Sequence, residues 1–473
     1  MTSGSTLPLA EQDGGAPVAP PAAAPRLTTA EHPALVREPL RRLVTRVALP
    51  AVASNLLMTT FLSADTYWIG RRLGSTALAA VTAAVFWVWM AISVAEMVSV
   101  GLTAVAARRH GERRGGAAAR AAGDAVLVAV VLGTAVAVLG RSEAGALLTL
   151  MRAPPAVAAL GGRYLAVYAL AAPLLYAYFA VDAAFRASGD TRTPLLVLAG
   201  SVAVGLVLDP LLIGGGLGLP ALGIAGAAVA TTATRAAACL VGLAVLRRRG
   251  LVRFARPDRE ALATVATVLR VGLPTAATGV LFSVIYVVVG RSASSLGVAA
   301  LAALGLGFRV ESWLYMLGVG FGAAAAAVVG QNMGAGRVAR AGRLGWAMLG
   351  VASVPAVLAA LASFFAPAWL GGLFTRDPAV VAETARYLRI AAVSQLVVCA
   401  ETVLEGALGG AGATVAPMVA STTFTAARVP LAAWATPRFG ATGLWWTISV
   451  TAVGRGLAMM GLWAAGGWKR NTV

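Results

Sequence analysis

One carboxylate interrupts the apolar run LLMTTFLSADTYWIGRRLG (56–74), and Asp65 is the first residue in the chain placed to do chemistry. A carboxylate at the centre of a membrane helix costs about 2.5–3.5 kcal/mol on insertion scales, and such residues mark ion or substrate pathways. Asp209 stands well inside another apolar run beside Pro210, which leaves the carbonyl of Leu206 without its helical partner. A carboxylate and a freed carbonyl at that depth are tolerated only against protein or a water-filled cavity. At about 100° per residue, Ser54 points within about 20° of Asp65, and Asn55, Thr59, Ser63 and Thr66 form an adjoining polar arc that a lipid-facing helix would not carry. Burial disfavours the charged form of a carboxyl group. An aspartate held there can take up a proton on one side of a membrane and release it on the other. Each charge moved through 100 mV is worth about 2.3 kcal/mol, so the chemistry suggested is ion coupling.

The elements that must position these groups are membrane helices. The 473 residues are 59% hydrophobic and 12% charged, where soluble domains run near 25% charged. Runs long enough to span a bilayer fall at 44–69, 77–106, 121–140, 160–184, 194–216, 221–246, 264–290, 298–329, 342–365, 385–408, 416–436 and 441–466, which predicts twelve spans. The net charge of +19 lies almost wholly between spans, with 22 basic residues on one set of alternate connections and 7 on the other. By the positive-inside rule both termini are expected in the cytoplasm. The basic excess is then a topology signal, and no interleaving of basic and aromatic residues points to nucleic acid. The Ala- and Pro-rich residues 1–36 cannot bury a core and are expected to form a disordered cytoplasmic tail. Cys239 and Cys399 fall in mid-span and read as packing residues.

Sliding the chain by 223 residues lays LGSTALAAVTAA (73–84) on LGVAALAALGLG (296–307), Gly111 on Gly334, Tyr164-Leu165 on Tyr387-Leu388, Asp182 on Glu405, Gly189 on Gly412, Thr191 on Thr414 and Pro194 on Pro417. Each half holds six spans, so the halves are parallel repeats. The chain divides into an N-terminal lobe (37–246), a basic linker (247–260) and a C-terminal lobe (261–473). Transporters built this way bind between the lobes and rock one against the other. Among the other acids within spans, Glu96, Asp182 and Glu405 read equally as partners of nearby arginines. Glu311, close to Arg309, is either cavity-lining or half of an ion pair. Phe61, Tyr178, Tyr286 and Tyr315 are candidate cavity aromatics, whose faces attract cations.

Several stretches, DTYWIGRRLGSTALAA (65–80), FRASGDTRTP (185–194), DPLLIGGGLGLPALGIAGAAVAT (209–231), VGQNMGAGRVARA (329–341) and LEGALGGAGATVAP (404–417), occur in an order that resembles the multidrug and toxic compound extrusion (MATE) family. The resemblance covers about residues 40–468. It implies an all-α membrane protein of twelve helices in two pseudo-symmetric lobes. Such a protein exports organic, often cationic compounds in exchange for protons or sodium. It further implies that Asp65 and Asp209 form a proton site in the N-terminal lobe, with Thr231 as a hydrogen-bond partner. The family pattern usually has Asn four residues before the second aspartate; this chain has Gly205, so Ser54, water or another group must complete the network. In VGQNMGAGRVARA the Gly-Ala-Gly suits a helix end and sharp turn, and Gln331 and Asn332 can satisfy the last carbonyls; the functional alternative is a cytoplasmic hinge or gate.

Sodium-coupled relatives place acids in spans 7 and 10. Span 7 here has none and span 10 has only Glu401 and Glu405, which favours a proton. The alternatives are sodium coupling, or a lipid-linked sugar flippase or natural-product exporter of the wider superfamily. A flippase needs a cationic cavity, and Arg235, Arg309, Arg428 and Arg455 are the central candidates. A membrane enzyme is not expected, because no DxxD or HxxxH pair occurs. The expected protein is a monomer in the inner membrane with no metal and no cofactor, whose partners are a small organic substrate, protons and the lipid bilayer.

Overall fold

The structure, a computed structural model, describes residues 34–150, 155–218, 220–256, 258–374 and 377–470. Two short helices, α1 (Ala34–Arg37) and α2 (Leu40–Leu43), and a π-helical turn (Val44–Ala48) lead into α3 (Leu49–Gly111). The first repeat continues with α4 (Gly115–Leu150), α5 (Pro155–Leu170), α6 (Ala172–Ser188), α7 (Arg192–Gly214) and α8 (Ile224–Arg248). The second comprises α9 (Arg259–Ser295), α10 (Val298–Gly334), α11 (Val338–Phe365), α12 (Pro367–Gly372), α13 (Pro378–Gly410) and α14 (Val415–Ala465).

Ten stretches among the described residues are long and apolar enough to cross a membrane, and the pair α5 and α6, bent by 55°, makes an eleventh. The bend falls at Ala171, just before Pro173, whose missing N–H cannot continue the ladder of α5. A twelfth comes from α14, where Gly440 adopts φ 59°, ψ −144° between the two expected spans. The connection expected between spans 1 and 2 takes a different form, because residues 49–111 are helical throughout. LGSTALAAVTAA is rich in alanine and has no proline, so little in it ends a helix. Two apolar spans, Leu40–Leu73 and Trp87–Gly111, share that run. At 1.5 Å per residue its 63 residues would measure about 95 Å, so it is too long for one straight crossing.

The packing units differ from the linear division of the chain. Leu35, Leu43, Val47, Ala48 and Val52 are buried with Phe321, Val328, Leu344, Leu404 and Trp463 of the second repeat. Reciprocally, Val268 of α9 and Val252 of the linker are buried in the core of the first repeat with Leu102, Ala122 and Phe185. The start of each repeat thus docks into the other. Residues 34–36, expected within the disordered tail, are helical, with Leu35 and Val36 at 2% and 0% exposure, because they complete that core; residues 1–33 lie outside the described residues. Cys239 and Cys399 sit in these two cores as free thiols.

The repeats meet through glycine. A Cβ at Gly101 of α3 would overlap the carbonyl of Val268, and one at Gly272 of α9 would overlap the carbonyl of Met97. Farther along, Gly111 lies against the carbonyl of Gln331 and Gly334 against that of Arg108. These crossings gather at the face that carries Arg108, Arg109, Arg337 and Arg340, called here the basic face. Asp190, in the turn before α7 on the same face, accepts from the N–H groups of Arg192 and Thr193, each at 3.0 Å, and from Arg249 at 2.5 Å. Burial works against its charge, yet the Thr193 and Arg249 hydrogen bonds hold its carboxyl below the usual range.

Backbone carbonyls cannot swing aside as side chains do. Gly101→Ala and Gly272→Ala are therefore expected to lower the thermal-unfolding midpoint in detergent by several degrees. Gly200→Ala, with open space around it, should leave the midpoint unchanged or raise it, since alanine is the better helix former by about 1 kcal/mol. Equal behaviour of the three variants would refute the close-crossing account.

Candidate ion and substrate site

α3 and α7 run side by side in register. Asp65 and Asp209 face each other within hydrogen-bonding reach. One turn earlier on each helix, Phe61 lies against Gly205. Asp65 is 4% exposed and Asp209 0%. Asp65 Oδ1 and both carboxyl oxygens of Asp209 lack a donor among the described residues. Two ionised carboxylates cannot hydrogen-bond to each other, and like charges in a low dielectric disfavour ionising both. A single proton between them removes both difficulties, since the protonated partner becomes a donor. Tyr164 of α5, 6% exposed, lies within electrostatic range of both carboxyls.

Gly205 has a structural role. A Cβ there would meet the ring of Phe61, which is 1% exposed and packs with Leu57, Leu198 and Val202. Phe61 is accordingly a core residue and does not line a cavity as expected: its ring occupies the space that a side chain at 205 would need. The polar arc of α3 is also used differently from the expectation. Ser54 donates to the carbonyl of Pro50 (3.0 Å), Thr59 to Asn55 (2.9 Å) and Ser63 to Thr59 (2.9 Å), as hydroxyls in apolar helices commonly do. Ser54 shares the face of Asp65 and Asn55 adjoins it, but both lie about 15 Å below Asp65 along the helix axis, too far to complete the pair. The side chain of Thr66 lies outside the described residues. Thr231 of α8 is buried, and its carbonyl accepts from Thr234 at 3.1 Å.

One turn beyond Thr231, the guanidinium of Arg235 is buried 5.5 Å from the ring centre of Tyr178, with Met58 Sδ against it. No carboxylate pairs with Arg235 among the described residues. Tyr178 is thus placed as a cation-facing aromatic, although the cation belongs to the protein. The remaining candidates gather in the second repeat. Tyr387 donates to Glu311 (2.8 Å), Arg428 donates to Tyr286 (2.7 Å) and Thr451 (2.8 Å), and Arg455 pairs with Glu401 (2.9 Å) beneath Phe282. Glu401 and Arg455 lie within electrostatic range of Tyr315 and of Glu405, and Glu405 also faces Glu96 of the first repeat. Glu311 takes a tyrosine as partner, and Arg309 is exposed. Asp182 pairs with Arg186, which also donates to Ser99 (2.9 Å).

Sequence reasoning missed Tyr164 and Tyr387 as neighbours of the key carboxyls. The signal was available, since the two tyrosines are equivalent under the 223-residue repeat and each faces an acid of its own lobe.

The comparisons with known proteins agree with this architecture. The MatE family profile matches twice, at residues 50–211 and 274–434, which repeats the internal offset to within a residue. The chain is 31% identical over 433 residues to the multidrug resistance protein NorM of Burkholderia vietnamiensis, covering 89% of this chain and 93% of that one. It is 27% identical over 358 residues to an FAD transporter of Shewanella oneidensis, covering 75% and 79%. Among solved structures, a transporter of the MOP superfamily from Pyrococcus furiosus, described as having a binding pocket of reversed polarity, superposes with a TM-score of 0.83 at 21% identity, over 92% of this chain and 98% of that one. The paired lobes and the doubled match lead to one conclusion: this chain belongs to the MatE family of multi-pass membrane efflux transporters.

Proposed function

We propose that the protein exports hydrophobic, cationic organic compounds across the inner membrane in exchange for protons, as a monomer whose lobes open alternately to the two sides and whose termini lie in the cytoplasm. The observation that carries this reading is the facing, buried pair Asp65 and Asp209, of which Asp65 Oδ1 and both Asp209 oxygens have no donor among the described residues. A pair that holds one proton loses it when the lobe opens to a less acidic side, and the resulting charge attracts a cation. The second repeat supports the same choice of ion. Under the 223-residue offset Val288 stands opposite Asp65 and Ala432 opposite Asp209, and Glu401 is committed to Arg455. Sodium needs several oxygen ligands together; a proton needs one poised carboxyl.

A second reading, export of a phosphate-bearing compound, is favoured by Arg235, a buried cation with no carboxylate ion pair among the described residues. One relative bears the name FAD transporter.

One unit of pH gradient supplies about 1.4 kcal/mol per proton exchanged, enough for roughly a tenfold gradient of substrate. Asp65→Asn and Asp209→Asn should each abolish that accumulation in proteoliposomes with an imposed pH gradient, while monodispersity and folding are retained. Uphill transport by either variant would make the pair structural.

Sodium at fixed pH should not shift the unfolding midpoint of the substrate-free protein, and Glu405→Gln should still transport under a pH gradient. Glu401→Gln, by breaking the buried ion pair with Arg455, should destabilise by about 3–5 kcal/mol. Saturable sodium binding lost in Glu405→Gln would move the coupling site to the second lobe.

Arg235→Ala separates the two substrate readings. Resistance to cationic dyes in a pump-deficient host should persist in that variant. Loss of all export together with export of nucleotides by the parent would establish the phosphate reading instead.

A further inference from the structure

The motif VGQNMGAGRVARA joins α10 to α11 at the basic face, and four of its side chains reach carbonyls outside both helices. Gln331 Nε2 donates to the carbonyl of Ala187 at 2.7 Å, crossing from the second lobe to the first. Asn332 Nδ2 donates to Val328 one turn back (2.8 Å) and to the carbonyl of Leu35 (3.3 Å). Arg337 donates to the carbonyl of Val36 (3.3 Å), and Arg340 to that of Glu38. Four carbonyls outside α10, at residues 35, 36, 38 and 187, are thus held by side chains from the end of α10 and the start of α11.

The segment Leu35–Glu38 that receives these bonds is itself wedged between the lobes. The Leu35 side chain fills the space beside Gly189, whose φ of +89° ends α6 in the first lobe, and it is buried with Val328 and Met333 of the second. Thr191, two residues past Gly189, donates to the carbonyls of Arg46 (3.1 Å) and Val47 (2.9 Å), tying the entry to α3 onto the same turn. Glu38 accepts from Arg46 at 2.6 Å. The strap is fixed at both ends and touches both lobes.

We propose that Gln331 and Asn332, with the strap Leu35–Glu38 that they hold, latch the two lobes shut at the basic face and that this latch releases each time the transporter opens to that side. The inference rests on alternating access but not on which ion drives it. Gln331 and Asn332 are positioning residues here: they act on the lobes and touch no substrate. Their own chemistry suits a reversible fastening. Gln331 and Asn332 are 1% and 0% exposed, yet Gln331 Oε1 and Asn332 Oδ1 have no donor among the described residues. In the closed state each amide is half satisfied, and water entering on opening supplies the missing partners, which offsets part of the bonds broken. The glycines at 111 and 334 bring the two helix ends to backbone contact beside the latch, so losing the latch also frees that crossing.

The test places a reporter, Ser188→Cys, on the half-buried turn beside Ala187 and follows its labelling by a water-soluble maleimide in the full chain, without substrate or gradient. The native Cys239 and Cys399 are 1% and 0% exposed and should label slowly. Gln331→Ala, Asn332→Ala and Leu35→Ala should each raise the labelling rate about fivefold, the shift expected from losing one ordinary hydrogen bond or its equivalent. Arg192→Ala, exposed on the same turn and outside the latch, should leave it unchanged. In a second arm, Ala187→Cys and Gln331→Cys bridged by a short bifunctional maleimide should stop export, while either single cysteine treated alike should not. Unchanged labelling in the three latch variants, or continued export by the bridged protein, overturns the proposal. Because the labelling needs no ion gradient, a failure of proton coupling leaves its outcome readable.

Discussion

A carboxyl group that cannot reach water must find a donor, a cation or a proton, and much of this molecule is arranged around how its few buried acids meet that requirement. The two lobes descend from one pattern yet answer differently. In the first, two aspartates on adjacent parallel helices face each other, and Asp65 Oδ1 and both oxygens of Asp209 have no donor among the described residues. In the second, a tyrosine donates to Glu311 and Arg455 pairs with one oxygen of Glu401, whose Oε2 has no donor among the described residues. Satisfied acids hold a structure together. Glu311 and Glu401 are each anchored to a tyrosine or an arginine on another helix, whereas the two aspartates have only each other among the described residues.

The same economy governs how the lobes touch. Helices in lipid gain nothing from hiding apolar side chains from one another, so close contact depends on small residues and on polar groups that bridge. Gly101, Gly272, Gly111 and Gly334 supply the first, bringing backbone against backbone, and Gln331 with Asn332 supplies the second. The reciprocal docking of residues 35–52 and of Val268 into the opposite cores adds a third element. A face closed in this way is specified by geometry and hydrogen bonds, which break one at a time as the lobes part.

The sequence was most informative where a residue type is expensive. Asp65 and Asp209 stood out because carboxylates in apolar runs are rare, and the repeat was visible because Gly111, Gly189, Thr191 and Pro194 recur at one offset. It was least informative where a common residue type has two uses. Ser54 lies on the correct face but three turns from Asp65, and periodicity reports angle without height. Phe61 read as a cavity wall because nothing local distinguishes an aromatic facing a void from one facing a glycine on another helix; Gly205 carried that information from 144 residues away. Leu35 and Val36 adjoin a stretch too polar and Pro-rich to suggest a core, and only the docked second lobe gives them one.

The ring of Phe61 seated on Gly205 also links two positions in inheritance. A side chain added at 205 requires the ring at 61 to shift or shrink, and a smaller residue at 61 alone leaves a void beneath the aspartates. Neither single change leads smoothly to a polar floor with Asn at 205, and the order of substitutions matters. Positions 61 and 205 are therefore coupled, and the route to Asn at 205 that avoids a clash passes through an intermediate with a void one turn below Asp65 and Asp209.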